Sequence, residues 1–393
     1  MNKKSITDIN IKGKRVLVRV DFNVPLDEDC KITDDTRIKA ALPTIAHILK
    51  EGGMAILMSH LGRPKGKVVD SMKLAPVAKR LEELLGKKVL YLRDSIGPEV
   101  EAATKAMKPG EVILLENLRF HKAETDNDPD FSGKLASLGE VFVNDAFGTC
   151  HRAHASTEGV TKYLKGAAGF LVQKEIDYFQ RATANPEKPY ISILGGAKVS
   201  DKIAVIENLL EKIDAILIGG GMAYTFLKVL GKQIGNSLLE ADKQDVARQI
   251  LDKAKEANVK IALPIDHIIA DKYDKSAQSK ECGEDVPDGW MGLDIGPKTV
   301  KAFKDLLKDA KTIVWNGPLG VAEFDKFRNG TKEIAGYIAG LDATTIIGGG
   351  DTAAAITQLG LADKMSHIST GGGASLEYLE GKVLPGVAAL EDK

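Results

Sequence analysis

Four apolar runs in the first half of the chain each end in residues suited to holding an anion. RVLVRVDF leads into Asp21, Phe22, Asn23, Val24 and Pro25, and MAILMSH into Ser59, His60, Leu61, Gly62 and Arg63. EVILLENLRF closes on Glu116, Asn117, Arg119 and His121, and GEVFVNDAF runs through Asn144 and Asp145 to His151, Arg152 and His154. Arg37 opens the helical stretch after the first run. A guanidinium fork matches phosphate and carboxylate oxygens bidentately. One such arginine alone would read as a solvated surface charge. Arg37, Arg63, Arg119 and Arg152 gathered with His60 and Asn23 would repel one another without an anion between them. A small, multiply anionic substrate is therefore expected. Asp21 suits a substrate hydroxyl rather than a phosphate. His60, between a strand end and Gly62-Arg63, is expected to touch the ligand. His47, beside Ile45 and Ile48, reads as structural, and His121, His151 and His154 read more readily as local hydrogen-bonding groups.

The second half carries a different device. YISILGGAKVSDKI, AILIGGGMAYTFLK, TTIIGGGDTAAAI and HISTGGGASLEYLEG each bring an apolar run to glycines and then to a helix-forming stretch. Any one of these would be explained by a tight turn needing positive φ. Their repetition favours close approach of backbone to a ligand, since bare amides at helix starts bind anions. Asp351, directly after Gly348–Gly350, suits phosphate only with a divalent cation between them, and Mg²⁺ is commonly held in that way. Lys198 and Lys202 are four apart and would share a face if their turn were helical, which suggests compensation of phosphate charge. Two further runs, VKIALPIDHII and TIVWNGPLGVAE, are expected to be parallel strands ending in Asp266-His267 and Asn316-Gly317-Pro318.

These residues need elements to hold them. Apolar runs alternate with helical stretches along the whole chain, which predicts βαβ units, parallel sheets and ligands beyond the strands' carboxyl ends. At 393 residues the chain exceeds one ordinary core, so two α/β, Rossmann-like lobes are expected. The stretch Gly166–Pro189 marks the boundary. A helix over about Phe170–Thr183 is predicted there, with Gly166 and Gly169 at its entry and Asn185-Pro186 at its end. The expected divisions are residues 1–169, a linker helix over 170–185 that serves as a hinge, and 186–379. The net charge of −1 gives no global attraction to nucleic acid or an acidic membrane. Three dispersed cysteines without CxxC, no HExxH spacing, and no apolar run of membrane-spanning length argue against a disulfide framework, a zinc site and a membrane partner. A reduced, cytoplasmic setting is expected. GRPKGK, Gly62–Lys67, fails as a phosphate-binding Walker loop, because the spacing is short and Val68 stands where Ser or Thr is needed.

Taken together, RVDFNVPL, SHLGRPKG, ENLRFHKAE, NDAFGTCHRAHAST, LGGAKVSDKI, GGGMAYTFLK, WNGPLGVAEF, GGGDTAAA and STGGGASLEYLEG resemble the phosphoglycerate kinase family, in that family's order and over nearly the whole length. Leu319 and Ala322 stand where bulkier residues are frequent in the family. The resemblance implies reversible phosphoryl transfer between 1,3-bisphosphoglycerate with MgADP and 3-phosphoglycerate with MgATP, in glycolysis and gluconeogenesis, by a monomer. It implies that Asp21, Asn23, Arg37, His60, Leu61, Gly62, Arg63, Arg119 and Arg152 bind the glycerate. It assigns Lys202, Gly292, Glu323, Gly349, Gly350, Asp351 and Thr352 to the nucleotide, with Asp351 on Mg²⁺. Gly292 has no role apart from the resemblance, and Glu323 suits a ribose hydroxyl better than a phosphate. Residues 380–393 are expected to return to the first lobe, as that family's tail does. Arg37 and Lys198 are the expected stabilisers of the migrating phosphoryl group, completed by the amides of Gly371, Gly372 and Gly373. A nicotinamide dehydrogenase would share the βα units but needs a GxGxxG fingerprint with its ribose acid. A non-catalytic binding protein would share the lobes but would need neither Mg²⁺ nor the paired lysines.

Overall fold

Strands buried on both faces of a parallel sheet need near-continuous apolar sequence, and the runs above supply it. In the computed structural model, which describes residues 2–393, the chain forms two compact units. One holds the chain up to Asp177 together with Val383–Lys393, and the other holds Tyr178–Lys382.

The first unit is built on β1 Arg15–Val20, β2 Met54–Met58, β3 Val89–Tyr91, β4 Val112–Leu114, β5 Val141–Asp145 and β6 Gly166–Ala168. They form one six-stranded sheet in the order β3-β4-β2-β1-β5-β6, parallel at every pairing. Val16, Val18 and Val20 alternate onto one face, where they join Ile38 and Ile45 of the helix Thr36–Lys50 and Val77 and Leu81 of the helix Ala75–Leu85. From β1 the chain lays β2, β3 and β4 on one side, β4 filling the place between β2 and edge strand β3, and then crosses to β5 on the other. The order therefore reverses beside β1, where doubly wound sheets open a crevice. Gly166-Ala167-Ala168, the entry to the predicted helix, forms an edge strand, although it contains no β-branched residue. Its fit is steric: a Cβ on Gly166 would meet Phe142 at 3.0 Å and Leu390 at 3.1 Å.

The helix Phe170–Thr183 follows at the residues expected. Its first amides are held within the first unit, Phe170 N donating to Thr44 Oγ1 at 3.0 Å and Leu171 N to Asp145 Oδ1 at 2.9 Å. Its last turn belongs to the second unit, where Tyr178 stacks on His367 with ring centroids 4.7 Å apart.

The second unit contains β7 Tyr190–Leu194, β8 Ala215–Ile218, β9 Lys260–Ala262, β10 His267–Ala270, β11 Ser279–Cys282, β12 Met291–Ile295, β13 Thr312–Asn316, β14 Thr344–Gly348 and β15 His367–Ile368. Six of them make a parallel sheet in the order β15-β14-β13-β7-β8-β9, with its reversal between β7 and β13. The run VKIALPIDHII is not one parallel strand. It stops at Ala262, ahead of Pro264, and resumes as β10, which pairs antiparallel with β11 and β12 in a separate three-stranded sheet. Proline cannot donate to a ladder, so the break falls where the sequence places one. Asp266 instead caps the helix that starts at Pro297, its carboxylate accepting from Lys298 N and Thr299 N at 2.8 Å, and His267 opens β10.

Candidate active site

In the first unit the loops after β1, β2 and β4 are tied to one another by their own polar groups. Asn23 Oδ1 accepts from Gly62 N at 2.9 Å, and Phe22 N donates to Ser59 Oγ at 2.9 Å. Asn117 Nδ2 donates to Leu61 O at 2.7 Å and to Met72 O at 2.9 Å. Arg119 Nη1 donates to Gly62 O at 2.9 Å. Both backbone groups of Gly62 are thereby engaged, and Leu61 is buried in the apolar core. These two residues shape the loop, and the side chains around them carry the chemistry.

Arg37, at the start of the helix Thr36–Lys50, sets its Nη1 2.7 Å from Asp21 Oδ2. Arg119 is 8% exposed, yet its Nε has no hydrogen-bond partner. A buried guanidinium with a spare N–H is an unfilled anion contact. Burial, with Arg19 and Arg152 nearby, lowers its pKa to about 10. Burial first, and then Arg19, Arg119 and Arg37, hold His60 well below the ordinary histidine range. His154 is pushed down to about 4 by burial and by Arg119, Arg19 and Arg152. Four guanidiniums thus act on this small volume, while Asp21 and Glu124 are the carboxylates that oppose them at Arg119. Arg63 is exposed and is not among the principal charges on His60 or Arg119, so it stands at the rim of the cluster rather than inside it.

Arg19 takes the interior place and was not singled out by the sequence reading. It is fully buried in β1, with Nε donating to Ser156 Oγ at 2.9 Å, Nη1 to Val20 O, and Nη2 3.1 Å from His60 Nδ1. The available signal was a charged residue inside RVLVRV: in a strand covered on both faces, such a residue must be paired.

In the second unit the turns after β7 and β13 interlock at the sheet's reversal. A Cβ on Gly195 would lie 2.1 Å from Pro318 O, and one on Gly317 would lie 2.2 Å from Gly195 O, so only glycine fits either turn. Gly317 N donates to Thr352 Oγ1 at 2.7 Å. Gly349, at φ +85°, starts the helix Gly350–Gln358, whose first-turn amides and Asp351 carboxylate sit together. The hydroxyl of Thr352 accepts from the turn and keeps its own proton, so both that O–H and its backbone amide remain for a ligand. Asn316, at the end of β13, has a buried Nδ2 without a partner and is a further unspent donor beside Gly348 and Gly349.

A cavity of about 410 Å³ opens beside these turns. Leu238, Leu293, Leu319 and Val321 supply apolar wall, and Asn236, Glu323 and Asp351 supply polar edge. That composition suits a flat heterocycle carrying polar substituents. Gly292 gains a reason here that the sequence lacked: a Cβ would fall 1.6 Å from the Tyr224 hydroxyl, itself 3.1 Å from His267 Nδ1. Glu323 accepts from the Tyr273 hydroxyl at 2.8 Å. Leu319 is fully buried against Gly219, where a Cβ would come within 2.6 Å of it.

The two lysines do not share a helical face. The segment between them is irregular, because the helix begins only at Ile203, with Lys202 as its cap residue. Lys198 is exposed, whereas Lys202 is 8% exposed, without an ion pair or hydrogen bond for its ammonium among the described residues. Burial lowers the pKa of Lys202 against the opposing pull of Asp201, Asp351 and Glu380. Of the fourth glycine device, Gly371 N is already spent on Ser369 Oγ at 3.1 Å, and the amides of Gly372 and Gly373 stay free among the described residues. No group of three or more His, Cys, Asp or Glu side chains able to hold a metal occurs among the described residues. Asp351, exposed at the cavity and without an ion pair, fits a cation shared with nucleotide phosphates rather than a cage made by protein alone. The three cysteines are free thiols, and no helix among the described residues is long and apolar enough to cross a membrane.

Residues 6–382 match the family model described as phosphoglycerate kinase. Phosphoglycerate kinase of Clostridium botulinum (strain Hall) is 58% identical over all of this chain and 99% of its own length. That of Gloeothece citriformis is 58% identical with full coverage of both chains. Among solved structures, the phosphoglycerate kinase of Coxiella burnetii superposes with a TM-score of 0.90 at 43% identity, over 98% of each chain. That of Pyrococcus horikoshii OT3 does so at 0.82 and 34%, also over 98% of each.

Proposed function

The chain belongs to the phosphoglycerate kinase family, and from that premise we propose how its own residues divide the work. The activity is that of the family: a glycolytic phosphotransferase with a carboxyl group as acceptor, exchanging a phosphoryl group between 1,3-bisphosphoglycerate and ADP. The observation that carries the assignment of the glycerate is the spare Nε of buried Arg119 within a cluster of four guanidiniums. In this reading Arg119, Arg152, His60 and Asn23 hold the phosphate and carboxylate of the glycerate, Asp21 accepts from its hydroxyl, and Arg63 closes the rim. The adenine lies against the apolar wall beside Gly292, with Glu323 taking a ribose hydroxyl. Lys202, Asn316 and the amides of Gly349–Thr352 take the phosphates.

In the ATP-consuming direction the nucleophile is a carboxylate, ionised near neutral pH, so no general base is needed. Catalysis is then alignment and stabilisation of charge on the moving phosphoryl group. Arg37 from one unit and Lys198 from the other are the groups with exposed, rotatable charge suited to that task, and the free amides of Gly372 and Gly373 add donors. Mg²⁺ on Asp351, when bound, supplies neutralisation of phosphate charge. The reactants are assigned to different units, so transfer requires the units to bring them together and exclude water, which would otherwise intercept the acyl phosphate. The helix Phe170–Thr183 is the segment proposed to stay intact through that motion, with the chain at Gly169 and at Asn185-Pro186 absorbing it. The working species is taken to be a monomer in the cytoplasm, the setting of the family.

A coupled assay with 3-phosphoglycerate, ATP and Mg²⁺ tests the whole reading: steady ADP formation supports it, and none sinks it. X-ray scattering with and without both substrates tests the closure, and an unchanged radius of gyration counts against it.

A further inference from the structure

We propose that Arg19 is a positioning residue that fixes His60 as the neutral tautomer with its proton on Nε2, so that His60 meets the substrate as a hydrogen-bond donor. This rests on the reading of His60 as a glycerate contact.

The direction of each hydrogen bond decides the matter. A guanidinium has five N–H donors and no acceptor. At 3.1 Å from His60 Nδ1, Arg19 Nη2 must therefore donate, and Nδ1 must present its lone pair. A neutral ring then carries its proton on Nε2. An imidazolium would set Nδ1–H against a guanidinium N–H, and burial with Arg19, Arg119 and Arg37 opposes that form as well. Nε2 makes no hydrogen bond with the protein among the described residues.

Arg19 is in turn held so that it can point only one way. Its Nε donates to Ser156 Oγ at 2.9 Å, and its Nη1 donates to Val20 O. The single hydroxyl proton of Ser156 goes to Glu124 Oε1 at 2.6 Å, so the oxygen has only lone pairs left for Arg19. Ser156 N donates to Glu124 Oε2 at 3.0 Å. Glu124 is fully buried and raises the pKa of Arg19 against the cost of its burial. The polarity therefore runs without a break: Ser156 gives to Glu124, while Arg19 gives to Ser156 and to His60. All four residues are buried, so solvent does not scramble it.

The consequence for binding is specific. The opposite tautomer would aim a lone pair at an anionic oxygen, and a protonated ring would add a charge to a cluster already crowded with guanidiniums. A neutral Nε2–H donor avoids both. Such wiring of one ring nitrogen to set the function of the other is a general device of histidine sites.

The test is a long-range ¹H–¹⁵N correlation spectrum of the full-length protein labelled with ¹⁵N-histidine, with His60 identified by the signals lost in His60→Gln. The expected pattern for His60 is a bare Nδ1 and a protonated Nε2 from pH 5 to 9, with the Nε2 signal moving on saturation with 3-phosphoglycerate. Nδ1–H or imidazolium in the wild type at pH 7 overturns the proposal, and this measurement needs no variant. A bare Nδ1 with no response to 3-phosphoglycerate refutes instead the assignment of His60 to the substrate, and the positioning role falls with it. In Arg19→Met, Nδ1–H or imidazolium should appear, and KM for 3-phosphoglycerate should rise roughly tenfold with KM for ATP unchanged. If Arg19→Met does not fold, Ser156→Ala, which removes the Nε anchor together with the hydroxyl's bond to Glu124, should show a mixture of tautomers. An unaltered spectrum in whichever variant folds overturns the role of Arg19.

Discussion

Replacing Arg37 with alanine should abolish most turnover while leaving the protein folded, and the structure gives both magnitudes. Arg37 touches Asp21 through Nη1 at 2.7 Å, but its side chain is 39% exposed. With its guanidinium this open to water, the pair is worth about 0–1 kcal/mol to stability even though Asp21 is only 13% exposed. Arg37→Ala should therefore shift the folding free energy by less than about 1 kcal/mol. Its catalytic effect should be far larger. Loss of one preorganised donor to charge developing in a transition state costs roughly 2.7–4 kcal/mol, a fall in kcat of about 10²–10³. Arg37→Lys keeps the charge but loses the fork, so it should recover part of the rate. Steady-state kinetics with 3-phosphoglycerate and ATP varied in turn, alongside urea denaturation, separate the two effects. An unchanged kcat with a raised KM for 3-phosphoglycerate would mean that Arg37 binds ground and transition states alike, and the assigned role would be wrong. A loss of stability above about 2 kcal/mol would mean that the pair with Asp21 is structural.

Lys198→Ala should lower kcat by the same roughly 10²–10³ with little change in either KM, whereas Lys202→Met should raise KM for ATP. Because the Lys202 side chain is largely buried, desolvation lowers its pKa and its ammonium has no ion pair among the described residues, the methionine variant should be at least as stable as wild type, and a destabilised Lys202→Met would contradict that account. Gly292→Ala drives a methyl to 1.6 Å from the Tyr224 hydroxyl; overpacking of about 1–3 kcal/mol and a raised KM for ATP are expected, with KM for 3-phosphoglycerate unaffected. Wild-type stability and kinetics in this variant would show that the pocket can give. Asp145, which caps the helix Phe170–Thr183, has its pKa raised by burial to about 7 from the ordinary 3.8. A raised carboxyl pKa favours folding below about pH 4, and that advantage is lost as pH climbs to 7, a difference on the order of 4 kcal/mol. Relative to Asp145→Asn, the wild type should therefore lose stability between about pH 4 and 7, and parallel stability curves for the two proteins across that window would refute the shift.

Local order was legible in the chain wherever a single run of residues determines it. Alternating apolar runs and helical stretches give two parallel sheets, because a strand covered on both faces tolerates little else. Arg37, His60, Arg119 and Arg152 could be picked out because loops at the carboxyl ends of parallel strands share one edge whatever the strand order. The helix Phe170–Thr183 was bounded by its own glycines and prolines. Tertiary structure decided what depends on partners distant in sequence. Arg19 looked like one more residue of a strand until folding set Ser156 and His60 against it, and Arg63 looked equal to Arg119 until burial separated them. Lys198 and Lys202 look paired by spacing, yet the turn between them is not helical, and one side chain is buried while the other is exposed. Gly292 had no local reason at all; its reason is Tyr224, which lies 68 residues away in the chain and is brought to it by folding. Sequence sets backbone periodicity because it acts through neighbouring residues, whereas burial and the direction of a hydrogen bond exist only once distant segments have packed.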